Sequence, residues 1–159
     1  MAEQQPSVIS TEDSAQAHGK PHGLLLRDAR LRKHADYQRV YGASRKHFSA
    51  SMSYFYAVRS PAESATGNRT PAGVVTQVRG PRVGLTAGRV LGKAVDRNRI
   101  KRRMREVVRR NLAVLTSDVD LILHPRKFVV TLEFSKLDAE VERVFTNVQA
   151  ALDGKRVKP

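Results

Sequence analysis

The chain has 159 residues, enough for one domain of ordinary size, and its 29 Lys and Arg against 15 Asp and Glu give a formal net charge of +14. It contains no Cys, which excludes disulfides, thiolate metal sites and Cys nucleophiles. No apolar stretch approaches the roughly 18 residues of a membrane-spanning helix, and the N-terminus lacks a signal-peptide pattern. We therefore expect a cytoplasmic protein with a polyanionic partner, and the composition leaves RNA, DNA and an anionic membrane open as that partner.

The first third of the chain predicts an extension followed by a helix and a strand. Residues 1–22 have no apolar period and predict a disordered N-terminal extension. Residues 31–42 predict a short helix with Tyr37, Val40 and Tyr41 on one face. Residues 52–58 are rich in aromatics and predict a strand, with Tyr54 and Tyr56 on one face and Phe55 on the other. Residues 60–73 predict a loop insertion.

The remainder alternates strands with two long helices. Residues 74–78 and 82–86 predict strands, and a turn containing glycines follows. A helix is predicted from an N-cap near Asp96, then a buried strand over 120–124 that ends at Pro125. A second long helix is predicted from about Ser135, with Ser135 and Asp138 spaced as a capping box. This order predicts an α/β fold: a small mixed sheet with helices packed on it as a two-layer sandwich. We expect a single domain over 23–153 and a basic tail over 154–159.

More than half of the excess charge lies in one window. Residues 89–110 contain ten basic and two acidic side chains, a net charge of +8. On a helix that begins near Asp96, Arg97, Lys101 and Arg105 lie along one edge, and an apolar stripe turns the other way. Arg predominates, and its planar guanidinium suits bidentate contacts with phosphate. A solvated face with local ion pairs is the alternative, but two acids cannot neutralise ten bases.

The order of residues in this window resembles a known family signature. The run Leu91-Gly92-Lys93-Ala94-Val95-Asp96-Arg97-Asn98-Arg99-Ile100-Lys101-Arg102-Arg103-Met104-Arg105-Glu106 resembles that of the protein subunit of bacterial ribonuclease P. The segments 81–85, 120–123 and 36–41 resemble its flanking strands and its first helix. The resemblance covers roughly residues 27–152. One departure is the turn at 86–89, where Arg89 supplies one cation in place of the usual two.

The resemblance implies a fold and a function. The fold is an α–β sandwich (ribosomal protein S5 domain 2-like) with a left-handed βαβ crossover through the Arg-rich helix. The partners implied are the ribonuclease P RNA and precursor tRNA, with no membrane partner, and no protein partner is evident. In the family the RNA subunit hydrolyses the phosphodiester that releases the 5′ leader, using Mg²⁺ bound mainly by the RNA. The protein is the non-catalytic subunit of this endoribonuclease, and no catalytic or metal-binding residue is expected in it.

Two sets of site residues follow from the resemblance. The leader-binding set is Tyr37 and Tyr41, which match the first-helix aromatics, with Phe55 or its neighbours from the sheet. Aromatic faces stack on unpaired bases with little sequence preference, although packing in the core is the ordinary role of such tyrosines. The RNA-binding set lies in and just before the basic helix and comprises Arg89, Lys93, Arg97, Asn98, Arg99, Lys101, Arg102 and Arg105.

Two other classes of function compete with this hypothesis. A stand-alone protein nuclease would need clustered carboxylates or a His base. The sequence offers neither, since its five His show no metal spacing and Asp118 and Asp120 are typical of turn residues at a strand start. A basic ribosomal protein or another protein that binds structured RNA or DNA would use the same helix without a role in tRNA processing. Helix-turn-helix readers of DNA join two helices by a short turn, whereas strands are predicted on both sides of this helix.

Overall fold

The computed structural model describes residues 29–64 and 79–156, except for the side chain of Arg156. Three short 3-10 helices connect the main elements, at Arg89–Leu91, Leu112–Val114 and Lys127–Val130. The helices and strands in chain order are α1 (His34–Ala43), β1 (His47–Phe48), β2 (Met52–Val58), α2 (Pro61–Ser64), β3 (Arg82–Leu85), α3 (Ala94–Asn111), β4 (Val119–Pro125) and α4 (Phe134–Arg156).

The four strands form one mixed sheet in the order β1-β2-β4-β3. β2 pairs with β4 antiparallel along its whole length, from Met52 opposite Pro125 to Val58 opposite Val119. β3 pairs with β4 in parallel, so the chain crosses from one to the other through α3. The predicted α/β class, with a small mixed sheet and helices packed on it, is confirmed. The left-handed sense of the crossover stays an expectation.

The alternation predicted for β2 is confirmed, because its two faces enter different apolar clusters. Met52 and Tyr54 belong to the main core, which α3 and α4 cover. Ala57 belongs to a smaller cluster with Leu31, Val40 and Ile122, against which Phe55 packs, and α1 covers this side. The sheet therefore presents its larger apolar face to the two long helices and a smaller one to α1.

The apolar stripes of the two long helices are buried as predicted. In α3, Ile100, Met104 and Val107 are completely inaccessible to solvent. In α4, Leu137, Val141 and Phe145 are equally inaccessible. Burial of such side chains is worth about 1.5–3 kcal/mol each, so these stripes fix which side of α3 faces outward.

Several predicted boundaries are wrong in detail. The N-cap of α3 is Lys93, and Asp96 lies in the first turn of the helix. The Ser135–Asp138 capping box does not form, because α4 begins at Phe134 and the Ser135 hydroxyl donates to Glu133. Part of the predicted loop, Pro61–Ser64, is a helical turn.

Three predicted segments lie partly or wholly outside the described residues. Residues 154–156, predicted as the start of a tail, continue α4. The predicted extension at 1–22 and the predicted strand at 74–78 lie outside the described residues. Within the described ranges, no helix is long and apolar enough to cross a membrane.

Candidate nucleic-acid interface

The start of α3 is set by a tight turn. Gly92 has φ +109°, a conformation that L side chains rarely adopt. It follows the 3-10 helix Arg89–Leu91 and directs the chain into α3. Because α3 begins at Ala94, the backbone N–H groups without a partner inside the helix belong to its first turn. Arg97, Asn98 and Arg99 therefore lie one turn further along than the sequence suggested.

The eight residues of the predicted RNA-binding set form what we call the cationic surface. Six of them are exposed, while Arg97 and Lys101 are half-buried. In the part of the chain that the structure describes, none of the seven cations in this set forms an ion pair with a protein carboxylate. Seven positive groups without acidic partners, held on one packed helix and the turn before it, create a strong positive potential.

The other three arginines of the basic window have partners within the protein. Arg103 donates 2.6 Å to the carbonyl of Val130 and also to that of Leu132, so it fastens the 3-10 helix at 127–130 to α3. Arg109 pairs with Glu106 at 2.6 Å. Arg110 lies 3.7 Å from Asp138 and over the ring of Phe134. Arg109 and Arg110 therefore add little net charge beside the cationic surface, because neighbouring acids offset theirs.

The three residues of the predicted leader-binding set lie together on the α1 side of the sheet. The ring centroids of Tyr37 and Tyr41 are 6.4 Å apart. The rings of Tyr41 and Phe55 meet edge to face at 5.0 Å. Phe55 and Tyr41 also contact His124, at 5.5 and 5.8 Å between centroids. We call Tyr37, Tyr41, Phe55 and His124 the aromatic cluster, and all four are half-buried.

Hydrogen bonds and close packing hold the aromatic cluster in place. The Tyr41 hydroxyl is 3.0 Å from Nε2 of His124, and the Thr86 hydroxyl is 2.7 Å from Nδ1 of the same ring. The ring of Tyr37 passes directly over Gly84 of β3, where an added Cβ would lie 2.5 Å from the Tyr37 hydroxyl. Burial raises the pKa of Tyr37 and of Tyr41, so both remain neutral and able to donate at physiological pH.

A buried carboxylate anchors α1 over the sheet. Asp120 of β4 is completely buried and receives a bidentate contact from Arg82, at 2.7 and 2.6 Å. Arg39 of α1 also donates to it, and Nε of Arg59 lies 3.4 Å away. The network places Arg39 and therefore the tyrosines of α1 at a fixed position. The prediction that Asp120 is a turn residue is wrong, because it pairs within the sheet.

The two predicted sets lie on different sides of the sheet and meet at its β3 edge. The cationic surface belongs to α3 and the turn before it, and the aromatic cluster lies beneath α1. Residues 29–31 run along β3, where Leu31 N donates to Val83 O at 3.1 Å and Val83 N donates to Ala29 O at 2.7 Å. This added edge segment carries Arg30 and Arg32.

Sequence reasoning missed three residues at these sites. The spacing of His124 from the other histidines suits no metal, yet its ring binds Tyr41 and Thr86. Arg30 and Arg32 alternate around the buried Leu31 at the β3 edge. This alternation of charged and apolar residues favours an extended segment. No residue near it in the sequence indicates which strand of the sheet the segment joins.

An α/β fold with positive charge concentrated on one packed helix is typical of proteins that bind nucleic acid. The comparisons with known proteins identify the family. The family model described as Ribonuclease P matches residues 25–149, and the chain belongs to this family.

Curated relatives agree with this family. The chain is 37% identical over 121 residues to the ribonuclease P protein component of Chloroflexus aggregans, covering 76% of this chain and 77% of the relative. It is 26% identical over 118 residues to that of Finegoldia magna, covering 74% and 88%.

Solved structures share the fold. The RNase P protein of Staphylococcus aureus matches with a TM-score of 0.56 and 21% identity, covering 76% of this chain and 95% of that one. The RNase P protein of Thermotoga maritima matches with the same TM-score and identity, covering 74% and 96%.

Proposed function

We propose that this protein is the RNA-binding subunit of a ribonuclease P ribonucleoprotein, which removes the 5′ leader from precursor tRNA in the cytoplasm. Membership of the family carries the proposal, together with the unpaired positive charge of the cationic surface. In this proposal the RNA subunit hydrolyses the phosphodiester and the protein binds both that RNA and the leader.

The cationic surface is the proposed contact with the RNA subunit. Its guanidinium groups project from a helix whose other side is buried, so their spacing is fixed before the RNA arrives. A preorganised set of cations loses less conformational entropy on binding than the same charges on a tail. Binding releases counterions from the RNA, and the affinity should therefore fall steeply with salt.

The aromatic cluster is the proposed contact with the leader. Its rings are half-buried, so each is held by packing while part of its residue stays accessible to solvent. Unpaired bases can stack on such rings with little regard to sequence, as a subunit that handles many different leaders requires.

The carboxylates of the described residues do not fit a magnesium site. Asp118 and Asp120, which are two residues apart at the start of β4, both contact Arg59. Among residues 29–64 and 79–156, no group of three or more His, Asp and Glu has an arrangement suited to a metal. We therefore assign the Mg²⁺ mainly to the RNA subunit, and no catalytic step is assigned to a residue of this chain.

Reconstitution tests the proposal directly. The full-length protein is mixed with a bacterial ribonuclease P RNA at low Mg²⁺, and cleavage of a precursor tRNA is followed. The proposal requires that the protein increase the rate of 5′-leader release above that of the RNA alone. Cleavage by the protein without RNA, or no stimulation of the RNA, would overturn it.

Substitution of Arg97 and Arg99 tests the proposed interface. The R97Q/R99Q variant should bind the RNA subunit more weakly, and the slope of log K against log salt should decrease by about 1 for each phosphate that is no longer neutralised. R126Q/R143Q is the matched control, because it removes the same charge from exposed positions outside the cationic surface. An unchanged slope for R97Q/R99Q would place the interface elsewhere.

A further inference from the structure

A groove at the β3 edge joins the two sides of the molecule. It has a volume of about 330 Å³ and lies between the segment at 29–32, β3 and α3. Its floor is apolar and consists of Val83, Leu85 and Val108. Tyr37 forms part of its wall.

The rim of the groove is entirely basic. Arg30 and Arg32 line it from the edge segment, and Lys101 and Arg105 line it from α3. No Asp or Glu is among its lining residues. The positive field of Arg30 acts on the Tyr37 hydroxyl, where it opposes the rise in pKa that burial causes. Four cations around one small cavity favour an anionic occupant.

The combination of a basic rim with an apolar floor fits a nucleotide. A phosphodiester carries the negative charge that guanidinium groups bind in a bidentate manner, and a base or sugar offers an apolar face of comparable size to the floor. The volume is at the lower end of the range for small-molecule sites. A base pair is too large for such a cavity, so the nucleotide must be unpaired.

The position of the groove indicates which RNA fills it. Val83 and Val108 belong to the core beneath α3 and α4, whereas Phe55 and Tyr41 pack in the cluster on the opposite face of the sheet. Lys101 and Arg105 are also members of the cationic surface. The groove therefore shares Tyr37 with the proposed contact for the leader, while its apolar floor and two of its four cations lie on the side of the proposed contact for the RNA subunit.

We propose that this groove binds one unpaired nucleotide of the RNA subunit, with its phosphate on Arg30, Arg32, Lys101 and Arg105 and its base or sugar on the apolar floor. The proposal rests on the proposed function and extends it to Arg30 and Arg32. Both are exposed, so changing them tests binding without disturbing the core.

The first experiment measures binding of the full-length protein to ribonuclease P RNA in the absence of precursor tRNA. R30Q/R32Q should bind roughly ten-fold more weakly, with a salt slope lower by about 1–2. R30K/R32K keeps the charge but loses the planar fork, and should recover only part of the affinity. R126Q/R143Q is the control for charge alone and should bind more tightly than R30Q/R32Q.

The second experiment uses the absence of Cys from the chain. R32C provides a unique thiol for a photo-crosslinking reagent, and R143C places the same reagent on α4. Crosslinks from residue 32 should map to a short stretch of the RNA subunit and should be absent from residue 143. The same reaction with a 5′-labelled precursor tRNA reports any contact with the leader.

The outcomes separate this proposal from the proposed function. If the wild-type protein stimulates leader removal but R30Q/R32Q binds the RNA subunit with unchanged affinity and slope, only the groove proposal is overturned. Crosslinks from residue 32 to the leader alone would also overturn it. If the wild-type protein fails to stimulate cleavage, the proposed function itself is overturned.

Discussion

Asp120 illustrates how single residues set the geometry of the aromatic cluster. A carboxylate without access to solvent is costly to bury, and three arginines from α1, β3 and the end of β2 compensate for that cost. Removing Asp120 would leave the buried Arg59 with Asp118, 3.7 Å away, as its remaining ion-pair partner among the described residues. The network is therefore a positional constraint on α1 that tolerates little change.

The position of α1 over the sheet also depends on Gly84. A Cβ at this position would overlap the Tyr37 ring, with Cζ only 2.8 Å away. We expect G84A to lower the free energy of unfolding by about 1–3 kcal/mol through overpacking, and to do so much less in the Y37L background. Urea unfolding of the four proteins in this double-mutant cycle measures the coupling. If G84A lowers the free energy of unfolding equally in the wild type and in Y37L, the close approach of Tyr37 to Gly84 is contradicted.

His124 makes stability depend on pH. Burial lowers the pKa of His124, and the nearby positive charge of Lys46 adds to the effect. The folded protein therefore holds this ring neutral at a pH where the unfolded chain protonates it. Stability contributed by the neutral ring is present above the unfolded pKa of about 6.5 and is lost as the pH falls from there toward the lower folded value.

The urea midpoint measured between pH 7.5 and 5 tests this expectation. Wild-type stability should fall across that interval more steeply than the stability of H124Q. H34Q alters an exposed histidine of α1 outside the cluster and should retain the wild-type slope. If the stability of H124Q falls with pH as steeply as that of the wild type, a group other than His124 causes the pH dependence.

At the scale of elements, α3 combines a side that is anchored in the core with a side that carries the proposed RNA contact. One side of the helix is locked into the core by Ile100, Met104 and Val107, and Arg103 fastens the segment after β4 to it. The opposite side carries the cationic surface. Because the two sides belong to one rigid element, any change in how α3 begins alters where the cations lie.

Gly92 provides the test of that dependence. G92A places a side chain at φ +109° and should destabilise the protein by about 1–3 kcal/mol. G88A, on the other side of the 3-10 helix, has φ −72° and open space around an added Cβ, and should be neutral or slightly stabilising. Thermal unfolding compares the two. Equal melting temperatures for G92A and G88A would contradict the assigned strain.

At the scale of the molecule, the periodicity of the sequence predicts which side of each element is buried. It does not predict contacts between segments that are far apart in the sequence. The faces of β2 and the stripes of α3 and α4 follow from spacing within one segment, and the family resemblance supplied the two site sets. The pairing of residues 29–31 with β3, the two-residue β1 and the burial of Asp120 depend on contacts between segments far apart in sequence. No local pattern encodes those contacts, so Arg30, Arg32 and His124 escaped prediction.

The aromatic cluster makes a prediction about the complete ribonucleoprotein. Y37L/Y41L should preserve the fold and reduce the preference of the holoenzyme for precursor over mature tRNA, since stacking of one base on an aromatic ring is worth about 1–3 kcal/mol. Y56L, on the opposite face of β2, is the matched control. Competition binding with precursor and mature tRNA measures the preference. An equal loss for both substrates would indicate a packing role.

The strand order also constrains how the chain acquires its structure during synthesis. β2 and β3 do not pair with each other, and β4 is the strand that joins them in the sheet. A nascent chain that ends before residue 119 therefore has the whole basic segment of α3 but lacks the strand that joins β3 to β2. The sheet closes only after Pro125 has left the ribosome, and the parallel pairing across α3 is a non-local step of the slower kind. Until β4 is in place, the apolar side of α3 lacks part of the core against which it packs, so the positions of the cations on its other side are not yet fixed.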